Sequence, residues 1–124
     1  MALWTMNYKG LYEKVMKIDP KIRFATICNM NGRIMYSGHR KGVKNLLTPK
    51  ESRESLQQAV KIWRMRNRLA PKIGRGRYVL AEYVRVKRIT TRAGKKHILY
   101  VTTQPSANHT RIINRILKLT ANIR

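Results

Sequence analysis

The chain has 124 residues, the size of one domain. Its 28 Lys and Arg stand against 5 Asp and Glu, a formal charge of +23. An apolar fraction of 43% excludes full-length disorder. One cysteine excludes an internal disulfide, and no apolar run approaches the roughly 20 residues that cross a bilayer. The start at Met1-Ala2-Leu3-Trp4 lacks the basic segment of a signal peptide. These features predict a cytoplasmic protein without a membrane partner. Residues 7–120 are expected to form a single domain, with short tails at 1–6 and 121–124.

The first element is a helix over 7–18, because Tyr8, Leu11, Tyr12, Val15 and Ile18 make one apolar stripe. Asp19-Pro20 ends it, since the residue before proline is pushed out of the helical region. A strand follows over 22–30, with Ile22, Phe24, Thr26 and Cys28 alternating against Arg23, Ala25, Ile27 and Asn29. Asn31-Gly32 predicts a hairpin with positive φ at both turn residues, and the return strand covers Arg33 to Ser37. Gly38 to Leu47 is a basic, irregular connection.

Thr48-Pro49-Lys50-Glu51 is a capping box with proline at the first helical position. Its helix is expected to run to about Arg68 and to stop at Ala70-Pro71. Leu56, Ala59, Val60 and Trp63 form its buried stripe. Another face carries Lys50, Arg53, Gln57, Lys61, Arg64 and Arg68 at offsets 0, 3, 7, 11, 14 and 18, a nearly straight polar row. Lys72 to Gly76 is a basic loop, and Arg77 to Thr90 is a long β-rich segment. A turn at Ala93-Gly94 leads to a strand at Ile98–Thr103, apolar on both faces and therefore central. Pro105-Ser106 is expected to open the last helix, with Ile112, Ile113, Ile116 and Leu117 inside. The order α-β-β-α-β-β-α predicts an α+β fold: an antiparallel sheet of four or five strands flanked by three helices.

The charge is threaded through these elements and is not confined to a tail. A compact body so unbalanced repels itself until a polyanion neutralises it, and DNA or RNA, alone or in a ribonucleoprotein, is the expected partner. The candidate phosphate contacts are Arg53, Lys61, Arg64 and Arg68 on the long helix, Arg40, Lys41 and Lys44 in the first connection, Lys72, Arg75 and Arg77 in the second, and Arg92, Lys95 and Lys96 near the last turn. With no aromatic side chains between these cations, backbone gripping with little sequence readout is expected. On this basis Arg64→Glu with Arg68→Glu should spare the fold. The bland alternative is a solvated basic face.

Several strings carry a resemblance: Lys21-Ile22-Arg23-Phe24 with Asn31-Gly32-Arg33, Gly42-Val43-Lys44 leading to Leu47-Thr48, and Leu80-Ala81-Glu82-Tyr83 with Val86-Lys87-Arg88-Ile89. Together they resemble a family of small archaeal proteins without an assigned activity, and the element order resembles the roadblock (dynein light chain) and profilin-like group. The resemblance covers roughly residues 7–120. It implies five strands, with segment 77–90 bending to supply two, a role as a homodimeric protein-interaction or scaffold module for a small GTPase or other acidic partner, and no catalytic residues.

Enzymatic chemistry has little to work with. Asp19 lies in a helix stop, Glu51 and Glu54 in a first helical turn, and Glu13 near Lys17. Glu82, inside an apolar run, is expected to pair with an arginine. His39, His97 and His109 lack ligand spacing, so no metal and no cofactor are expected. Cys28 is expected to be a buried small hydrophobe. Gly74-Arg75-Gly76-Arg77 is no phosphate loop, because no Gly-Lys-Ser/Thr follows. It is either an Arg-bearing finger or a turn that needs two glycines. Trp63 is expected in the core, and Tyr36, Tyr78, Tyr83 and Tyr100 as core or cross-strand aromatics.

Overall fold

A computed structural model describes residues 6–124. Of the expected tail at 1–6, residues 1–5 lie outside the described residues. The elements are α1 (Tyr8–Met16), β1 (Ile22–Asn29), β2 (Ile34–His39), α2 (Pro49–Ile73), β3 (Tyr78–Glu82), β4 (Lys87–Arg92), β5 (His97–Thr103) and α3 (His109–Thr120). The sheet is antiparallel with order β2-β1-β5-β4-β3. The α+β expectation holds. The fifth strand comes from residues 77–90, which bend at Tyr83–Val86, where the Tyr83 N–H bonds the Val86 carbonyl at 2.9 Å.

The central strand explains the layers. On β5, Leu99 and Val101 face α1 and α3, whereas Ile98 and Tyr100 face α2. Leu11, Val15, Ile112, Ile113 and Ile116 close the first face over Ile22, Ala25, Ile27 and Ile89. Leu56, Val60 and Trp63 close the second over Cys28, Ile98 and Tyr100. Trp63 is fully buried, and its indole N–H donates to Thr90 Oγ1 at 2.9 Å.

Three local expectations change. The β1–β2 turn has positive φ only at Gly32, not at Asn31. The turn over Met30-Asn31 is closed by the Gly32 N–H to the Asn29 carbonyl at 3.0 Å, with Gly32 taking the left-handed step. Asn29 Oδ1 also accepts the N–H groups of Asn31 and Arg33, which removes the need for two left-handed residues. α2 runs through Pro71 to Ile73. A proline in the last turn deprives only one carbonyl of its bond. Gly74, at φ 89°, is the actual stop, its N–H bonding the Ala70 carbonyl at 2.8 Å. α3 begins at His109, because Asn108 is the residue whose side chain caps it, accepting the Arg111 N–H at 3.1 Å.

A β-bulge between Ile22 and Phe24 also breaks the expected alternation. It puts Ile22 on the α1/α3 face with Ala25 and Ile27, while Arg23 and Phe24 both reach the α2 side.

Trp63→Phe removes one buried bond and leaves the Thr90 hydroxyl unmatched, so it should cost about 1–3 kcal/mol of unfolding free energy in urea. Adding Thr90→Val should recover part of that loss.

Candidate functional site

The antiparallel register sorts the expected phosphate contacts between the two ends of the sheet. Arg64, Arg68, Lys72, Arg75, Arg77, Arg92, Lys95 and Lys96 gather at the end carrying the β1–β2 and β4–β5 turns. Arg40, Lys41, Lys44 and Arg53 gather at the opposite end, and Lys61 lies between. They form no single row. Asp19, Glu51, Glu54 and Glu82 all sit toward the second end, and Glu13 lies exposed on α1. The first end therefore holds cations without any aspartate or glutamate among the described residues.

Some of these cations are internal fasteners. Arg40 donates to the carbonyls of Ile22 (2.8 Å), Met16 (2.7 Å) and Asp19 (3.0 Å). It closes the C-terminal end of α1, where free carbonyls and the helix dipole favour a cation. Arg64 donates to the Met30 carbonyl at 2.8 Å and Asn31 Oδ1 at 2.9 Å, tying α2 to the β1–β2 turn. Both therefore serve as structural ties within the fold. The buried Lys87 donates to the Ala107 carbonyl at 3.0 Å and to His109 Nδ1 at 2.9 Å. Arg92 is half-buried, whereas Arg53, Lys61, Arg68, Lys72, Arg75, Arg77, Lys41, Lys44, Lys95 and Lys96 are exposed.

The other candidates find mostly structural places. Glu51 completes the capping box, accepting the Thr48 N–H at 2.9 Å. Glu82 is exposed and forms no ion pair among the described residues, and neither does Glu13. Burial pushes the Cys28 thiol up to about 11, which makes it inert. Tyr8 and His97 are hydrogen-bonded at 3.0 Å, and burial followed by Lys96 lowers the His97 pKa. Among the described residues no three His, Cys, Asp or Glu side chains stand together, and no helix is long and apolar enough to cross a membrane. In the Gly-Arg-Gly-Arg loop, Gly74 supplies a left-handed φ, and a Cβ at Gly76 would come within 3.0 Å of the Trp63 ring. Tyr100 is buried and Tyr36 stacks on Tyr12 at 5.1 Å, but Tyr78 and Tyr83 are exposed, the latter in a turn.

Two features escaped the residue-by-residue analysis. The first is a second apolar stripe on α2. Ile62, Met65, Leu69 and Ile73 recur at offsets 0, 3, 7 and 11 and are exposed, Ile73 by 79%. Arg64 faces the β1–β2 turn from the other flank, so this stripe lies on the β3 side. There β3, the edge strand, leaves one row of backbone groups unpaired among the described residues. The helical period of the stripe was present in the sequence all along. The second feature is a groove of about 790 Å³ between the N-terminal half of α2, the β2–α2 connection and the outer face of β1, β4 and β5. It depends on the β1 bulge and carried no sequence signal.

A five-stranded antiparallel sheet in this order, with two helices on one face and one on the other, is the fold of roadblock and profilin proteins. A roadblock/LC7 domain from Streptomyces avermitilis superposes with a TM-score of 0.71 at 15% identity, over 93% of this chain and 92% of that one. The gliding protein MglB from Thermus thermophilus gives 0.74 at 13%, over 97% and 92%. A profilin from Schizosaccharomyces pombe gives 0.65 at 13%, over 93% and 94%. No protein-family model matches the sequence, nor does any curated protein. At such identities the likeness is one of fold, and it carries the archaeal resemblance no further.

Arg64→Glu should cost about 1–3 kcal/mol and displace the backbone NMR resonances of Met30 and Asn31, while Arg68→Glu should do neither.

Proposed function

We propose that the chain is a non-enzymatic, roadblock-like protein-interaction module that pairs with its own copy through the β3 edge and the α2 stripe. The observations that carry this reading are the exposure of Ile62, Met65, Leu69 and Ile73 along one flank of α2 and the open edge of β3. An edge left open invites another strand, and an apolar helix face beside it supplies the driving force. Both lie on one side of the molecule, which suits a two-fold interface in which one patch meets itself. A structure of MglB with a tetrameric arrangement shares the fold at a TM-score of 0.76 and 12% identity. In a dimer the remaining α2 flank and the sheet ends stay free for a partner. An acidic partner, a small GTPase among the candidates, fits the surplus of cations.

In size exclusion with light scattering, the chain should elute at twice its 14.6 kDa. Leu69→Glu with Ile73→Glu should give a folded monomer, because both side chains are exposed. A wild-type monomer at high micromolar concentration would refute the pairing.

A second reading, phosphate-backbone gripping of nucleic acid, is favoured by the end of the sheet that holds Arg68, Lys72, Arg75, Arg77, Lys95 and Lys96 without a neighbouring aspartate or glutamate. If about six phosphates of a duplex are neutralised, log K should fall against log salt with a slope near −5. Arg68→Glu with Arg75→Glu should weaken binding by about tenfold or more, the order expected for two lost charge-assisted contacts. A flat salt dependence removes this reading and leaves the first intact.

A further inference from the structure

The groove beneath the N-terminal half of α2 has a polar floor that the fold leaves unsatisfied. Six buried side-chain atoms among the described residues have no hydrogen-bond partner, and three of them belong to residues lining this groove: Arg23 Nε, Arg88 Nε and Thr102 Oγ1. Buried donors are normally matched, and leaving one unmatched costs about 1–3 kcal/mol.

The two guanidinium groups are held in place. Arg88 lies 5.1 Å from the Tyr83 ring centroid and 5.2 Å from that of Tyr100 and donates to the Tyr83 hydroxyl at 3.3 Å. Tyr100 is itself fixed by a 2.9 Å bond to Ser55 on α2. Arg23, brought to this face by the bulge, donates to the Lys44 carbonyl at 2.8 Å and so pins the connection beside the groove. Thr102 pairs with Arg88 on one side and with Phe24 on the other, so the three strands present one row.

Two carboxylates also line the cavity. Glu51 is engaged by the Thr48 N–H, Glu54 is exposed, and neither pairs with Arg23 or Arg88. The apolar share of the lining is exposed: Leu46 by 55% and Leu47 by 36%. The volume falls in the range of small-molecule sites, about 300–1,000 Å³, where apolar walls and a few convergent polar groups are the usual pattern.

We propose that this groove binds a small organic anion, with its carboxylate or phosphate group bonded by Arg23, Arg88 and Thr102 and its apolar body laid against Phe24, Leu46 and Leu47. No residue of β3 or of the exposed α2 stripe lines the groove, although Tyr83 next to β3 does, so the site does not depend on the pairing proposed above. The anion bridges β1, β4 and β5 to the β2–α2 connection and gives the two guanidinium groups a common acceptor.

The test titrates octanoate and 1-naphthyl phosphate into the full chain by calorimetry, at about 150 mM salt, where screening beyond about 8 Å suppresses general attraction to a cationic surface. Octanol and 1-naphthol serve as neutral counterparts. At least one anion should bind at one site per chain, at least tenfold tighter than its neutral counterpart, and shift the Nε–H resonances of Arg23 and Arg88. The stronger of the two identifies the head group. Thr102→Val and Leu47→Asp, which keep both arginines, should each weaken binding at least fivefold, and Arg88→Gln should abolish it. Lys14→Glu with Lys17→Glu removes more net charge on α1 and should change affinity less than twofold. The proposal fails if neither anion saturates, or if the charge change on α1 weakens binding as much as the groove substitutions do. Failure here leaves the oligomeric state, and with it the interaction-module reading, untouched.

Discussion

The unequal covering of the two sheet faces is the constraint on which the rest of the molecule depends. Five strands at about 4.8 Å spacing make a surface roughly 19 Å wide, and one helix with its side chains covers about 10–12 Å. On one face α1 and α3 together span the strands, and their apolar side chains close a continuous core. On the other face α2 lies alone over β5 and its neighbours. Something must remain open on either flank of a single helix. On the β1–β2 flank the β2–α2 connection leaves the groove, and on the β3 flank the edge strand stands beside an apolar helix stripe. Both candidate interaction features are therefore consequences of the same shortage of helix.

The scarcity of carboxylates shapes the interior as much as the surface. With five acidic side chains in the chain, the cations find their acceptors on the backbone. Arg40 bonds the end of α1, Arg23 the connection, Arg64 the first turn and Lys87 the segment before α3. Such bonds place a charge against the carbonyls that helix ends and turns leave unmatched. They tie segments distant in sequence without removing any net charge. The +23 total therefore overstates how many cations are free to meet a ligand, and the exposed ones, those at the turn-bearing end of the sheet among them, are the part available.

What could be seen in advance follows from which signals are local. The capping box at Thr48 and Glu51, the stripe of Leu56, Val60 and Trp63, and the central position of β5 were all legible, because each depends on residues a few positions apart. The end of α2 was misplaced, since proline was weighed as a stop where only a C-terminal glycine ends the helix. The internal ties of Arg40 and Arg64 were invisible, because their acceptors are carbonyls 18 to 34 residues away. For the groove the missing information was the bulge at Ile22/Phe24, a one-residue insertion that no periodicity announces. The exposed stripe on α2 was readable in principle. Its period coexists with the buried stripe and the cationic row on the same helix, and three faces in one sequence compete for attention.

The charge would seem to forbid self-association, yet the geometry of an antiparallel pairing works against that objection. When β3 pairs antiparallel with β3 of a second copy, the turn-bearing end of one sheet lies beside the opposite end of the other. The two concentrations of cations are then directed away from each other, and salt screens what repulsion remains over about 8 Å at physiological ionic strength. Glu82, exposed at the end of β3 without an ion pair of its own, comes to the Arg77 end of the neighbouring strand. What opposes pairing is then a screened repulsion, and what favours it is the direct burial of Met65, Leu69 and Ile73, which salt does not weaken.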